Sequence, residues 1–250
     1  MPYFQDTRRR SYSFLFAIVL LLLYEGAVAL MRALGRGQIV NGVDAWFDYA
    51  LAQVPHGTWI ASLVVFLIGA TFVYLDRKNG LELKRGVFIG MFVESCVWAL
   101  GLFLLMPRFV FKLLNPNLSA AAPALQATEG HESSLALWEQ IGLSFGAGFY
   151  EELFFRLLLV GVLMGLVKLF KGDPKHPLPQ FVIAVVAAML FSAVHYLGPL
   201  GDTFTFYSFA YRALMGLLFS GLLLLRGFGI TAWTHGLYDV LVYVTRAVGV

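Results

Sequence analysis

Cysteine is all but missing from this 250-residue chain. Cys96 is the only one, so no internal disulfide can form. It lies in an apolar run, away from any histidine motif, and reads as a packed thiol rather than a nucleophile. Charge is scarce too. Asp, Glu, Lys and Arg make up 13% of the residues, against 59% hydrophobic ones. A soluble domain ordinarily carries about 25% charged and about 45–50% apolar residues, so an ordinary soluble globule is excluded. The net charge of +3 gives no sign of a nucleic-acid partner. No Gly-x-Ser-x-Gly elbow, His-Glu-x-x-His helix or phosphate-binding glycine loop is present. A secretory leader is not expected either. The apolar run after Arg8-Arg9-Arg10 is too long for a signal-peptide core and has no small-residue cleavage site.

What the chain has is long apolar runs. A helix crossing a bilayer needs about 20 mainly apolar residues, and seven stretches approach this: 13–34, 58–75, 86–106, 137–169, 180–197, 206–225 and 229–247. The runs are too long, and too uniformly apolar, for barrel strands. The expectation is one all-α polytopic membrane bundle over 1–250, with N-terminal spanning helices in 1–136 and a functional core in 137–247. The fourth stretch is too long for a single straight span, so a tilt or a break is expected there.

Basic residues sort onto alternate loops. Arg8–Arg10 precede the first span, and Arg77, Lys78, Lys84 and Arg85 lie between the second and third. Lys168, Lys171 and Lys175 lie between the fourth and fifth, and Arg226 between the sixth and seventh. The positive-inside rule then puts the N-terminus in the cytoplasm and the C-terminus outside. The compact chain suits a bacterial inner membrane. The stretch 107–136, rich in Ala, Pro, Ser and Asn, reads as a flexible external loop containing the sequon Asn117-Leu118-Ser119.

Ionisable residues inside apolar spans are costly and are functional candidates by default. Glu151, Glu152 and Arg156 sit in Phe149-Tyr150-Glu151-Glu152-Leu153-Phe154-Phe155-Arg156. Glu152 and Arg156, four apart, share a helix face and can pair. That leaves Glu151, pointing about 100° away, free to take a proton from water. A purely structural ion-pair cluster fits this segment equally well. His195 ends the fifth span and taken alone reads as an interfacial histidine. His235 and Asp239, again four apart, lie well inside the seventh span. They could hold a metal together, or Asp239 could fix the tautomer of His235. Three helices each carrying polar groups are best accommodated if they face one another around a wet cavity. Gly142, Gly146 and Gly148, then Gly161 and Gly165, and Gly216, Ser220 and Gly221 supply small residues for close helix approach. Glu25 and Glu94 are isolated acids expected to line the cavity or to neutralise Arg212. His56, His131 and His176 fall in loops and look ordinary.

Glu151-Glu152-x-x-x-Arg156, Phe191-x-x-x-His195 and His235-x-x-x-Asp239, in this order on successive helices, resemble the CAAX protease and bacteriocin-processing family of intramembrane proteases, also called the abortive-infection family. The stretch Phe209 to Gly221 is similar to that family's glycine-bearing motif. The resemblance covers 137–247, and 1–136 matches only in being apolar. It implies an endopeptidase acting on a membrane-associated peptide or protein, with CAAX-box proteins as the best-known substrates. Glu151 would activate a water, His195 would assist, and His235 with Asp239 would stabilise the transition state or hold a metal. The pattern often has Asn where this chain has Asp239. An Asn donates a hydrogen bond to an oxyanion and an ionised Asp does not. Asp239 therefore tilts the expectation toward Zn²⁺ held by His195, His235 and Asp239 or Glu151, with one open position. A metal-free site with Asp239 orienting His235 stays open. The rival functions are a catalytically silent membrane scaffold or bacteriocin-immunity protein, and a proton-coupled transporter. The transporter is disfavoured by the absence of paired broken segments in two repeats.

Overall fold

The structure is a computed structural model that describes residues 2–36, 39–45, 57–115, 135–170, 172–173, 176–197 and 201–249. Among the described residues it holds helices and no strand. They are α1 (Pro2–Thr7), α2 (Arg10–Ala33), α3 (Gly57–Lys78), α4 (Arg85–Leu114), α5 (Leu137–Gly146), α6 (Val160–Leu169), α7 (Pro177–Val194), α8 (Phe206–Arg226) and α9 (Phe228–Ala247). Between α5 and α6 the chain winds as two π-helical segments, Ala147–Glu151 and Leu153–Leu159. The fourth apolar stretch is thus broken by a change of winding at the acidic pair.

Four helices, α2, α4, α7 and α8, are long and apolar enough to cross a membrane. Large side chains such as Leu22, Leu105, Leu169 and Phe170 lie exposed on the bundle, as lipid allows and water does not. The protein is therefore an integral membrane protein with an all-α bundle. α9 is more polar because it carries Thr231, Thr234, His235 and Asp239. Its cost is met by burial: Ile230 to Gly236 are buried without a break.

The core joins both ends of the sequence. α9 runs alongside α2, with Trp233 stacked on Phe16 at 5.2 Å and its indole N–H donating to the Phe16 carbonyl at 2.7 Å. α5 runs antiparallel to α2, so Gly142 meets Ala27 and Gly146 meets the Tyr24 ring. At Gly148 the π-helical backbone comes against α9. A Cβ there would stand 2.5 Å from the Ala232 carbonyl oxygen and 2.8 Å from the Gly236 nitrogen. Gly216 is less tight, with a Cβ there 3.1 Å from the Phe191 ring and 3.3 Å from Ala188. The expected close approach fails at Gly161, Gly165 and Gly221, where a Cβ would meet nothing within 4 Å. The first two lie on α6, which has no buried residue.

Three further expectations change. α4 continues through Pro107 to Leu114, so the first part of the expected 107–136 loop is helical. Its sequon at Asn117 lies outside the described residues. Arg226 is a buried cation rather than a free loop charge. It pairs with Glu94, which also accepts from the Tyr3 hydroxyl at 2.8 Å, and its guanidinium lies 4.2 Å from the centre of the Phe4 ring. Glu94 therefore neutralises Arg226 and not Arg212, because it sits on α4 beside the α8–α9 corner. Arg212 instead pairs with Asp202 and donates to the Tyr196 hydroxyl at 3.0 Å. Glu25 accepts from the Tyr150 hydroxyl at 3.2 Å.

Backbone atoms cannot move aside as a flexible side chain can. Gly148→Ala should cost about 1–3 kcal/mol through overpacking. Gly161→Ala should be neutral or stabilising by up to about 1 kcal/mol through helix propensity. Melting temperatures in detergent test the contrast, and equal melting of the two variants would contradict the close contact at Gly148.

Candidate active site

The acidic pair sits where the chain changes winding. Single π-helical turns are rare and concentrate at functional sites. Adding a residue to each turn makes Glu151 and Glu152 diverge by less than the about 100° of an α-helix. Both can then reach the interior from one helix. Gly148 and Gly236 let α9 come close enough to present His235 to them.

Glu152 is fully buried and has two partners. Its Oε2 lies 3.2 Å from Arg156 Nε, one turn on. Its Oε1 lies 2.7 Å from His235 Nδ1 on α9. A carboxylate only accepts, so His235 donates through Nδ1–H and its tautomer is set. Arg156 is itself held among rings, with its guanidinium carbon 4.2 Å from the centre of Phe191 and 5.7 Å from that of Phe219. The terminal nitrogens of Arg156 make no hydrogen bond, so these aromatic faces are its other electrostatic support. The sequence expectation that Glu152 pairs with Arg156 is met. The second contact, from Glu152 to His235, was invisible to spacing within one helix.

With Nδ1 engaged, His235 turns Nε2 toward Asp239 Oδ2 at 3.6 Å and Glu151 Oε2 at 3.9 Å. The imidazole stacks on Phe219 at 4.7 Å, with planes 19° apart. Glu151 is buried. Its Oε1 accepts from Asn41 Nδ2 at 3.1 Å, and its Oε2 makes no hydrogen bond among the described residues. Asn41 belongs to the stretch that follows α2, and the sequence reading missed it. The motif Asn41-Gly42-Val43-Asp44 was a visible turn signal, but nothing in it pointed to Glu151.

His195 caps the C-terminus of α7. Its Nδ1–H donates to the Phe191 carbonyl at 2.7 Å, which leaves Nε2 as the unengaged nitrogen. Phe191 lies between the two histidines, 4.9 Å from the His195 ring and 6.2 Å from that of His235. The structure therefore gathers Glu151, Glu152, Arg156, His235 and Asp239 directly, with His195 joined across Phe191.

A tetrahedral zinc site needs three or four donors at about 2.0–2.2 Å from one point. Among the described residues, no three His, Cys, Asp or Glu side chains stand close enough together to hold a metal ion. In this arrangement His195, His235, Asp239 and Glu151 do not converge as a ligand set.

No curated protein and no solved structure matches the chain. Residues 133–241 match the family model described as type II CAAX prenyl endopeptidase, Rce1-like. That segment holds Glu151, Glu152, Arg156, His195, His235 and Asp239, and its match supports a place in the CAAX protease family.

Proposed function

We propose that the protein is an intramembrane endopeptidase in which Glu151 activates a water against a peptide bond of a membrane-associated, CAAX-like peptide or protein. One observation carries this reading. Glu152 stands 3.2 Å from Arg156 and 2.7 Å from His235, whereas among the described residues Glu151 pairs with no arginine and its Oε2 makes no hydrogen bond. A free carboxylate oxygen walled from lipid is what a general base requires.

The chemistry balances on these groups. Glu151 Oε2 takes a proton from water as the water oxygen attacks the scissile carbonyl carbon. A proton on Nε2 of His195 or His235 would let that ring donate to the oxyanion as it forms. The proton held by Glu151 then passes to the leaving amine, so the water oxygen ends on the new carboxyl group. Glu152 holds the Nδ1–H of His235, and Asp239 lies beside Nε2, where it accepts when that nitrogen carries a proton. Zinc ligation by His195, His235 and Asp239 or Glu151 would require these side chains to draw together.

The alternation of basic residues supports a cytoplasmic N-terminal side. The site lies about 20 Å along α2 from Arg10, at the level of Tyr24.

Purified protein should cleave a prenylated CAAX peptide or proteins of a membrane extract. Glu151→Gln should lower the rate by about 10²–10⁴-fold, the range for losing a general base. A chelator should leave the wild type active. Loss to chelator, with recovery on Zn²⁺, would establish the zinc site instead. A well-folded wild type that cuts nothing in the extract would favour the scaffold.

Glu152→Gln keeps an acceptor for His235 but loses the charge facing Arg156. Its kcat should fall about 10–100-fold, as for carboxylates behind catalytic histidines, with KM nearly unchanged. Arg156→Ala strands a buried carboxylate and should cost about 3–5 kcal/mol of stability. Unchanged kcat in Glu152→Gln, together with unchanged melting in Arg156→Ala, would contradict the shared-carboxylate arrangement.

A further inference from the structure

Asn41 lies outside the segment 133–241 that matches the family, yet its side chain touches Glu151. Four contacts fix how it does so. Asn41 Oδ1 accepts from the Val43 backbone N–H at 2.9 Å, closing a local turn. With Oδ1 so engaged, the amide orientation is set and Nδ2 faces Glu151 Oε1 at 3.1 Å. The Asn41 backbone N–H donates to the Tyr24 hydroxyl at 3.0 Å. Tyr24 in turn donates to Asp44 Oδ2 at 2.6 Å. Tyr24 is fully buried. Its ring lies against Gly146 and meets edge-on the ring of Tyr150, the residue before Glu151, at 5.5 Å. The turn after α2 is thereby pinned to the same wall of the bundle that carries the acidic pair.

We propose that Asn41 is a positioning residue for Glu151. Its carboxamide holds Oε1, and this fixes Oε2 toward Nε2 of His235 and the reacting water. The inference rests on the reading of Glu151 as the base. It adds that the catalytic unit extends beyond the matched segment, with the turn 39–45 completing it. The amide suits this task because it donates to a carboxylate without carrying a charge that would neutralise it. A lysine or arginine at position 41 would pair with Glu151 as Arg156 pairs with Glu152, and the free oxygen would be lost.

The turn has a structural role as well, and the variants separate the two. Asn41→Asp keeps an oxygen for the Val43 N–H, so the turn survives, but it replaces the donor to Glu151 with a second carboxylate. Asn41→Ala removes both contacts. Melting temperature in detergent and the kcat and KM for peptide cleavage are measured for both, in wild-type and Glu151→Gln backgrounds. The expected result is a folded Asn41→Asp protein that melts below wild type, because two carboxylates then face each other, but above Asn41→Ala, with a kcat lower by about 10–100-fold, as for displaced catalytic groups. KM should change by less than about threefold. In the Glu151→Gln background, adding Asn41→Ala should change the residual rate little, because groups acting as a unit are not additive. Asn41→Asp with wild-type kcat would overturn the proposal while leaving the protease reading intact. So would an Asn41→Ala loss that multiplies fully with Glu151→Gln. Cleavage that survives Glu151→Gln unchanged would overturn the role of Glu151 and, with it, that of Asn41.

Discussion

The Glu152 carboxylate, sealed from solvent between Arg156 and His235, is the contact on which the rest of the bundle depends. In lipid an unpaired carboxylate is so costly that it must be answered by whatever helix lies nearest. Glu152 is answered twice, once along its own helix and once by α9. The second bond locks two segments about 80 residues apart in sequence into one register. It requires their backbones to approach closely, which explains the glycines facing each other at 148 and 236. It also decides the state of His235, since a ring that donates through Nδ1 can offer only Nε2 to the cavity.

From that register follows a division of labour between adjacent acids. Two neighbouring carboxylates on an α-helix would face in distinctly different directions. The π-helical winding brings them closer together, with Glu152 held by Arg156 and His235 and Glu151 met by Asn41. Arg156 turns its Nε to Glu152 and its guanidinium to the Phe191 ring, and no ion pair with Glu151 forms among the described residues. A functional acid in a membrane needs this protection from its own surroundings more than it needs activation.

What the sequence disclosed follows the range of the interactions. Long apolar runs and alternating loop charges determine helices in a bilayer almost by themselves, and α2, α3, α7, α8 and α9 begin or end within a few residues of the expected limits. The pairing of Glu152 with Arg156 lies within one helical turn and was legible for that reason. The ordered motifs brought Glu151, His195, His235 and Asp239 into one candidate site. Contacts between distant segments were not legible. Glu94 met Arg226 rather than Arg212 because the α8–α9 corner, not the middle of α8, lies beside α4. Gly161 and Gly165 had the right spacing on a helix that packs few neighbours. Change of helical winding has no residue signature of its own, so the π-helical segments could be anticipated only as a break in an overlong stretch.

Asn41 shows where motif reading stops. The chemistry of a site is recognised by spacing along one stretch of chain, but a carboxylate has two oxygens and each needs an environment. Here one oxygen is met by a turn from the other half of the protein. Tyr24 links that turn to the helix carrying Glu151, through a hydroxyl that accepts from Asn41 and donates to Asp44. The apolar helices of 1–136 are thus more than a hydrophobic wrapping for the matched segment. They carry a polar contact of their own into the centre, at the only kind of place where lipid tolerates one, against a partner already buried there.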